Sequence, residues 1–168
     1  MAASLSRTTI TGGLDTTVRV WNVASDFREL AVQGHASEVM GVAVTPDPAC
    51  SVCGVRTVGV WKVLAAAAPD NTLSGHSESI RGVALTQNGR LELTGSMDRT
   101  LRVWDLRTGK CSATVGPGRD WRRAVTASPD GRRAVGAESI DTRVRIWNPE
   151  TGAGTSTGEV LFFDRRGF

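Results

Sequence analysis

His76, Ser96 and Asp98 supply the three side-chain types of a serine-hydrolase triad. A hydroxyl, an imidazole and a carboxylate in line can activate a nucleophile for acyl transfer, but such a set is defined by geometry and not by composition. Cys50-x-x-Cys53 could hold a metal or cycle as a dithiol. The remaining ligands are sparse: Cys111 and two histidines 41 residues apart, His35 and His76. A structural zinc ion takes four ligands, usually in paired short spacings. Cys50 and Cys53 also fall on or beside a strand-like run, where residues three apart face opposite ways. Buried small hydrophobes are therefore expected there, with no metal and no cofactor. Gly116-Pro117-Gly118-Arg119 lacks the Gly-Lys-Ser/Thr ending and the following helix of a phosphate loop, so it reads as a connection between strands. Paired carboxylates in one cleft are not identifiable, because most acids occupy turn positions.

The elements that must position these side chains form a repeat. A tetrapeptide ending in tryptophan recurs as VRVW (18–21), VGVW (58–61), LRVW (101–104) and VRIW (144–147), with the tryptophans 40, 43 and 43 residues apart. Asp15, Asp98 and Asp141 each stand six residues before a tryptophan. Gly34-His35 and Gly75-His76 keep the same phase, and turn formers TPDP (45–48), TQNG (86–89) and SPDG (128–131) fall between. Within 76–115, short β-favouring runs at 80–85, 91–94, 101–104 and 111–115 alternate with turns, which predicts four antiparallel strands per repeat, a to d. A strand-rich unit with a period in the forties is the mark of a β-propeller blade. No segment carries a helical period; the alanine run at 65–68 is short and stops at Pro69.

On these landmarks the chain resembles the WD-repeat family. The Trp-Asp pair itself stands only at Trp104-Asp105; the others read Trp21-Asn22, Trp61-Lys62 and Trp147-Asn148. The resemblance implies an all-β fold of four-stranded antiparallel propeller blades. It also implies a hydrogen-bonded tetrad, matched in full by His76, Ser96, Asp98 and Trp104, in which the aspartate receives the imidazole proton and no nucleophile is left free. The other repeats depart from it. The first has Gly13 at the serine position, the second has Cys53 and Val55 in place of Ser and Asp, and the fourth has Ser139, Asp141 and Trp147 but GPGRD (116–120) in place of Gly-His. The second and fourth blades are expected to be looser than the third.

The repeat region is expected to span 8–163, with tails at 1–7 and 164–168. It divides into a partial blade at 8–33, entered at strand b, and blades at 34–74, 75–115 and 116–163. The last strand d is placed at 159–163, after an insertion at 151–156. Three strands plus three full blades make an incomplete ring or open arc. Such an arc exposes two blade faces, which favours self-association to complete the ring.

The chain has 168 residues and a formal charge of +3, carried by 18 arginines against two lysines. Seven arginines and four acids lie in 119–145. Without interleaved aromatics this is better read as a solvated face than as a nucleic-acid surface. No apolar stretch is long enough for a membrane span, the N-terminus lacks a secretory core, and three cysteines suit a reducing compartment. An intracellular, cytoplasmic location is expected, with the nucleus as the alternative.

The function expected is a non-enzymatic scaffold or adaptor for other proteins. The alternatives are a regulatory fragment of a larger signalling NTPase or kinase, and an RNA-binding surface on the Arg-rich last blade. The resemblance puts partners on the face of the d-to-a and b-to-c loops. The positions carried over are Glu38, Met40, Ser79, Arg81, Trp121 and Arg123, with Leu14, Met97 and Ile140 as an apolar ring. Trp121, the tryptophan outside the repeat slot, either anchors a partner or fills the space left by the missing Gly-His.

Overall fold

The computed structural model describes residues 2–5, 8–22, 28–35, 37–44, 49–62, 71–118, 121–128, 130–138, 143–148 and 154–159. They form four four-stranded antiparallel sheets, each a meander in chain order. The first holds β1 (Ala2–Leu5), β2 (Thr8–Gly12), β3 (Thr17–Asn22) and β4 (Arg28–Gly34). The second holds β5 (Gly41–Val44), β6 (Ala49–Cys53), β7 (Thr57–Lys62) and β8 (Asn71–Ser74). The third holds β9 (Ile80–Leu85), β10 (Leu91–Ser96), β11 (Leu101–Asp105) and β12 (Lys110–Val115). The fourth holds β13 (Arg122–Ala127), β14 (Ala134–Glu138), β15 (Arg143–Trp147) and β16 (Gly154–Glu159). Each repeat tryptophan lies on the third strand of its sheet.

Two expectations need correction. Residues 2–5, within the expected tail at 1–7, form a strand: β1 pairs with β2 from Ala2↔Thr11 to Leu5↔Thr8 and gives the first sheet its inner strand. Ala-Ala-Ser-Leu carries no β-branched residue and no period, so only pairing with β2 identifies it as a strand. The last described strand is β16 at Gly154–Glu159, so 154–156, expected within an insertion, are strand; of the strand expected at 159–163, all but Glu159 lies outside the described residues. Trp147↔Gly154 and Ile146↔Thr155 set its register, the same seven-residue spacing as Trp104↔Cys111 in the third sheet, with a register shift between Arg143 and Arg145.

The core lies between successive sheets. Ile10, Val18 and Val20 bury Val39 between the first two; Val58, Leu73, Ile80 and Trp104 fill the space between the second and third. Leu93, Leu101, Val103, Ala134 and Trp147 do the same between the third and fourth. Trp104 and Trp147 thus each face the preceding sheet. The start of the second sheet and of the fourth each approaches a glycine of the sheet before it. A Cβ on Gly12 would lie 2.2 Å from Val39 Cγ1, and one on Gly95 would lie 2.9 Å from the Arg122 carbonyl oxygen. The sheets are propeller blades arranged in an open arc without a closed ring. Among the described residues no helix is long and apolar enough to cross a membrane.

Candidate functional site

The triad-like residues assemble around Thr94, not Ser96. His76 Nδ1 lies 2.7 Å from Asp98 Oδ2, and His76 Nε2 lies 2.7 Å from Thr94 Oγ1. The Trp104 indole N–H donates to the same Thr94 oxygen at 2.9 Å. Burial holds His76 below the ordinary imidazole value of 6.5, against the opposing pull of Asp98, so the ring is neutral. Burial also pushes the Asp98 carboxyl up, but hydrogen bonds from Thr100 and His76 more than offset this and leave it ionised. A carboxylate can only accept, so the imidazole proton sits on Nδ1 and Nε2 accepts. The chain of donors runs from Trp104 N–H to Thr94, from the Thr94 hydroxyl to His76, and from His76 to Asp98. Thr100 closes the far end, donating its N–H at 2.9 Å and its hydroxyl at 2.6 Å to Asp98 Oδ1.

Ser96 does a different job. Its hydroxyl lies 3.0 Å from the Ser79 carbonyl oxygen and accepts the Asp98 N–H at 3.1 Å, tying the turn to the preceding loop. The register explains the exchange. Glu92 stands opposite Trp104 and Thr94 opposite Arg102, so Thr94 is on the indole's face one step along. Ser96 shares that face but lies past a register shift at the strand end. Spacing alone does not separate two hydroxyls on one face. Thr94 is 0% exposed, so its oxygen offers no side from which a substrate could approach. The arrangement satisfies buried polar groups.

The same slot differs in the other sheets. In the first, the Trp21 indole donates to Thr11 Oγ1 at 2.8 Å, ten residues away as in the third; Thr11, not Gly13, is the hydroxyl position. In the second, His35 Nδ1 accepts the Ser37 N–H at 3.3 Å, and a Cβ on Gly54 would lie 2.5 Å from His35 Cε1. Glycine there admits the ring beside the backbone where Val55 takes the aspartate's place. In the fourth, Gly136 stands opposite Arg145, the position Thr94 holds against Arg102. A Cβ there would lie 2.8 Å from Trp147 Cζ3. Arg122, 2% exposed, stacks its guanidinium 5.3 Å from the Trp147 ring centroid. Sequence reasoning missed Arg122. The repeat could have shown it, because it occupies the slot of buried Val39 and Ile80. Ser139, Ile140 and Asp141 lie outside the described residues.

The partner candidates converge. Leu14, Met40, Arg81 and Trp121, one from each sheet's loop edge or first strand, line a single cleft of about 480 Å³ with Gly12, Gly13 and Val39. Leu14 is 68% exposed and Trp121 39%, and Arg122 beside Trp121 stacks over the Trp147 ring. The Arg81 Nε–H reaches Met97 Sδ at 3.2 Å, which places Met97 at the cleft's border and outside its lining. Glu38 is exposed and not among the lining residues. Arg123 lies on β13 next to Trp121, and its side chain is outside the described residues. Cys50 and Cys53 both lie on β6. Among the described residues no group of three or more His, Cys, Asp or Glu could hold a metal ion.

Comparison with known proteins agrees with this geometry. The model of the WD domain, G-beta repeat, matches residues 67–105 and 109–148, each match reaching a repeat tryptophan near its end. Autophagy-related protein 16 of Arabidopsis thaliana is 29% identical over 150 residues, covering 88% of this chain and 29% of that protein. Nuclear distribution protein PAC1 of Arthroderma otae is 27% identical over 157 residues, covering 83% of the chain and 34% of that protein. Protein tipD of Dictyostelium discoideum is 26% identical over 155 residues, covering 90% and 25%. The chain spans about a third or less of the length of these curated relatives.

Proposed function

Because this chain belongs among the WD-repeat proteins, we propose that it is a non-enzymatic adaptor whose partner protein docks in the cleft of Leu14, Met40, Arg81 and Trp121. WD repeats support a protein-interaction scaffold in general, and the cleft supports the finer reading. It draws side chains from all four sheets onto one concave surface. An exposed tryptophan beside an arginine is the pairing enriched at binding hot spots. Among the described residues Arg81 is the one charged residue of the lining, so a partner segment with an apolar side chain next to a carboxylate fits it. RNA binding is the weaker reading, since Arg122, one of the arginines clustered in 119–145, is buried inside the arc. The reading includes an intracellular setting, for which the sparse, odd set of three cysteines is the support.

A displayed peptide library panned on the full chain tests this reading. Selected peptides should carry acidic and apolar residues and bind the Trp121→Ala and Arg81→Glu proteins at least tenfold more weakly. The melting temperature of Trp121→Ala should stay close to wild type, because a partly exposed anchor contributes little to the core. Peptides that bind both variants as well as wild type would sink the cleft as the partner site.

A further inference from the structure

Of the chain's three methionines, Met40 lines the cleft and Met97 stands at its border. The backbone fixes Met97 there. Its N–H donates to the Ser79 carbonyl oxygen at 2.9 Å. The turn that carries it is closed by the Arg99 N–H on the Ser96 carbonyl oxygen at 3.2 Å, with Arg99 at φ 68°. A bulge brings Arg81 to meet it. β10 pairs with β9 as Gly95↔Gly82 and then as Ser96↔Ile80, so Arg81 is passed over in the ladder. A bulged residue is re-aimed by the local bend of its strand. Ile80 stays buried, while Arg81 reaches the cleft with its Nε–H on Met97 Sδ at 3.2 Å. Among the described residues Arg81 makes no salt bridge.

A thioether is a weak acceptor, so this contact positions the guanidinium without neutralising it. The same sulfur is the oxidisable atom of its side chain. Met97 is half-buried, which leaves it within reach of a small oxidant.

We propose that Met97 is a modification site, oxidised by hydrogen peroxide to its sulfoxide, and that the sulfoxide draws Arg81 away from a partner in the cleft. The sulfur gives an electron pair to one peroxide oxygen, and the S–O bond forms as the O–O bond breaks. The departing hydroxide takes the proton of the transferred oxygen and leaves as water. Sulfur is oxidised and the peroxide is reduced by the same pair of electrons. The new oxygen carries partial negative charge beside the guanidinium, so a weak N–H···S contact becomes a charge-assisted N–H···O bond. A partner carboxylate must then compete with Met97 for the same donors. The change is reversible, because methionine sulfoxide reductases restore the thioether. The effect on capture rests on the cleft being the partner site; the reaction at Met97 and its hold on Arg81 do not.

The test treats the full-length, isotope-labelled Met40→Leu chain with hydrogen peroxide, so that oxidation near the cleft is confined to Met97. Mass spectrometry of its peptides locates the added oxygen, and the arginine Nε–H resonances are followed, with Arg81 assigned through Arg81→Lys. The Arg81 resonance should move as Met97 gains oxygen and return after treatment with the reductases. It should not move in the chain that also carries Met97→Leu. Acidic peptides selected for Trp121-dependent binding should bind about fivefold or more weakly after oxidation than before. With Met97→Leu they should bind equally before and after. A Met97 left unoxidised while added free methionine is consumed, an Arg81 resonance indifferent to the added oxygen, or a loss of peptide binding that persists without Met97 would overturn the proposal. Selected peptides that ignore Arg81→Glu, with the Arg81 resonance still moving on oxidation, would remove the cleft as the partner site and keep Met97 as the modification site.

Discussion

The third and fourth sheets hold equivalent tryptophans by different means. Trp104 is fixed by a line of hydrogen bonds through Thr94 and His76 to Asp98. Trp147 is fixed by shape and charge, lying against Gly136 on one side and under the Arg122 guanidinium on the other. The register shows how the exchange arises. Trp104 stands opposite Glu92, twelve residues earlier, and Trp147 opposite Ala134, thirteen earlier. That one residue moves Gly136 into the place of Thr94 and sends Ala137 opposite Val144. The shared element is the buried indole between neighbouring sheets. Losing both hydroxyl and imidazole together is tolerable, because deleting both partners of a buried hydrogen bond is far milder than deleting one.

The comparison can be broken most directly at the indole. Trp147→Ala should cost about 3–5 kcal/mol in denaturant unfolding, as for a core aromatic, despite the absence of a polar chain beneath it. A loss under about 1 kcal/mol would mean that the fourth sheet does not depend on its tryptophan. Thr94→Val comes next. It strips one bond from Trp104 and one from His76 while keeping the shape, and should cost about 1–3 kcal/mol with a shift of the Trp104 indole N–H resonance. An unmoved resonance would return the tetrad's hydroxyl to Ser96. Gly136→Ala asks the converse question. Its new Cβ would sit 2.8 Å from the Trp147 ring, so overpacking should destabilise by about 1–3 kcal/mol. A neutral or stabilising result would show that Trp147 has room to move.

Acid should sharpen the difference with the smallest effect. The folded pKa of His76 is lowered, so its neutral form contributes stability that is complete above the ordinary 6.5 and is lost as pH falls from there through the folded value. The lowered Asp98 pKa adds a second loss at lower pH, beginning below its ordinary 3.8. Thermal midpoints should therefore decline below about pH 6.5, and His76→Gln should flatten the upper part of that decline. Identical pH profiles for wild type and His76→Gln would remove the buried neutral imidazole from the account.

Much of the arc was legible because a repeat measures itself. The four tryptophan tetrapeptides located the third strand of every sheet, and turn formers bounded the strands of the third. The positions that the family resemblance carried over include Leu14 and Trp121, which are exposed, and Arg81 and Met40, which meet them in one cleft. β1 was not legible, since Ala-Ala-Ser-Leu has no strand signal apart from its pairing with β2. The strand at 154–156 was missed because similarity to the preceding turn outweighed the register that Trp147↔Gly154 fixes.

The sequence by itself determined the repeat period and the strand that carries each repeat tryptophan, since both depend on spacing and strand alternation along one chain. Only the tertiary structure decided which hydroxyl closes the chain to His76, that Arg122 stacks over Trp147, and that the Arg81 Nε–H meets Met97. Each of those depends on lateral register and on what the neighbouring sheet presents. A shift of one residue between paired strands moves a side chain to the other face or past its partner, and spacing along the chain does not record that shift.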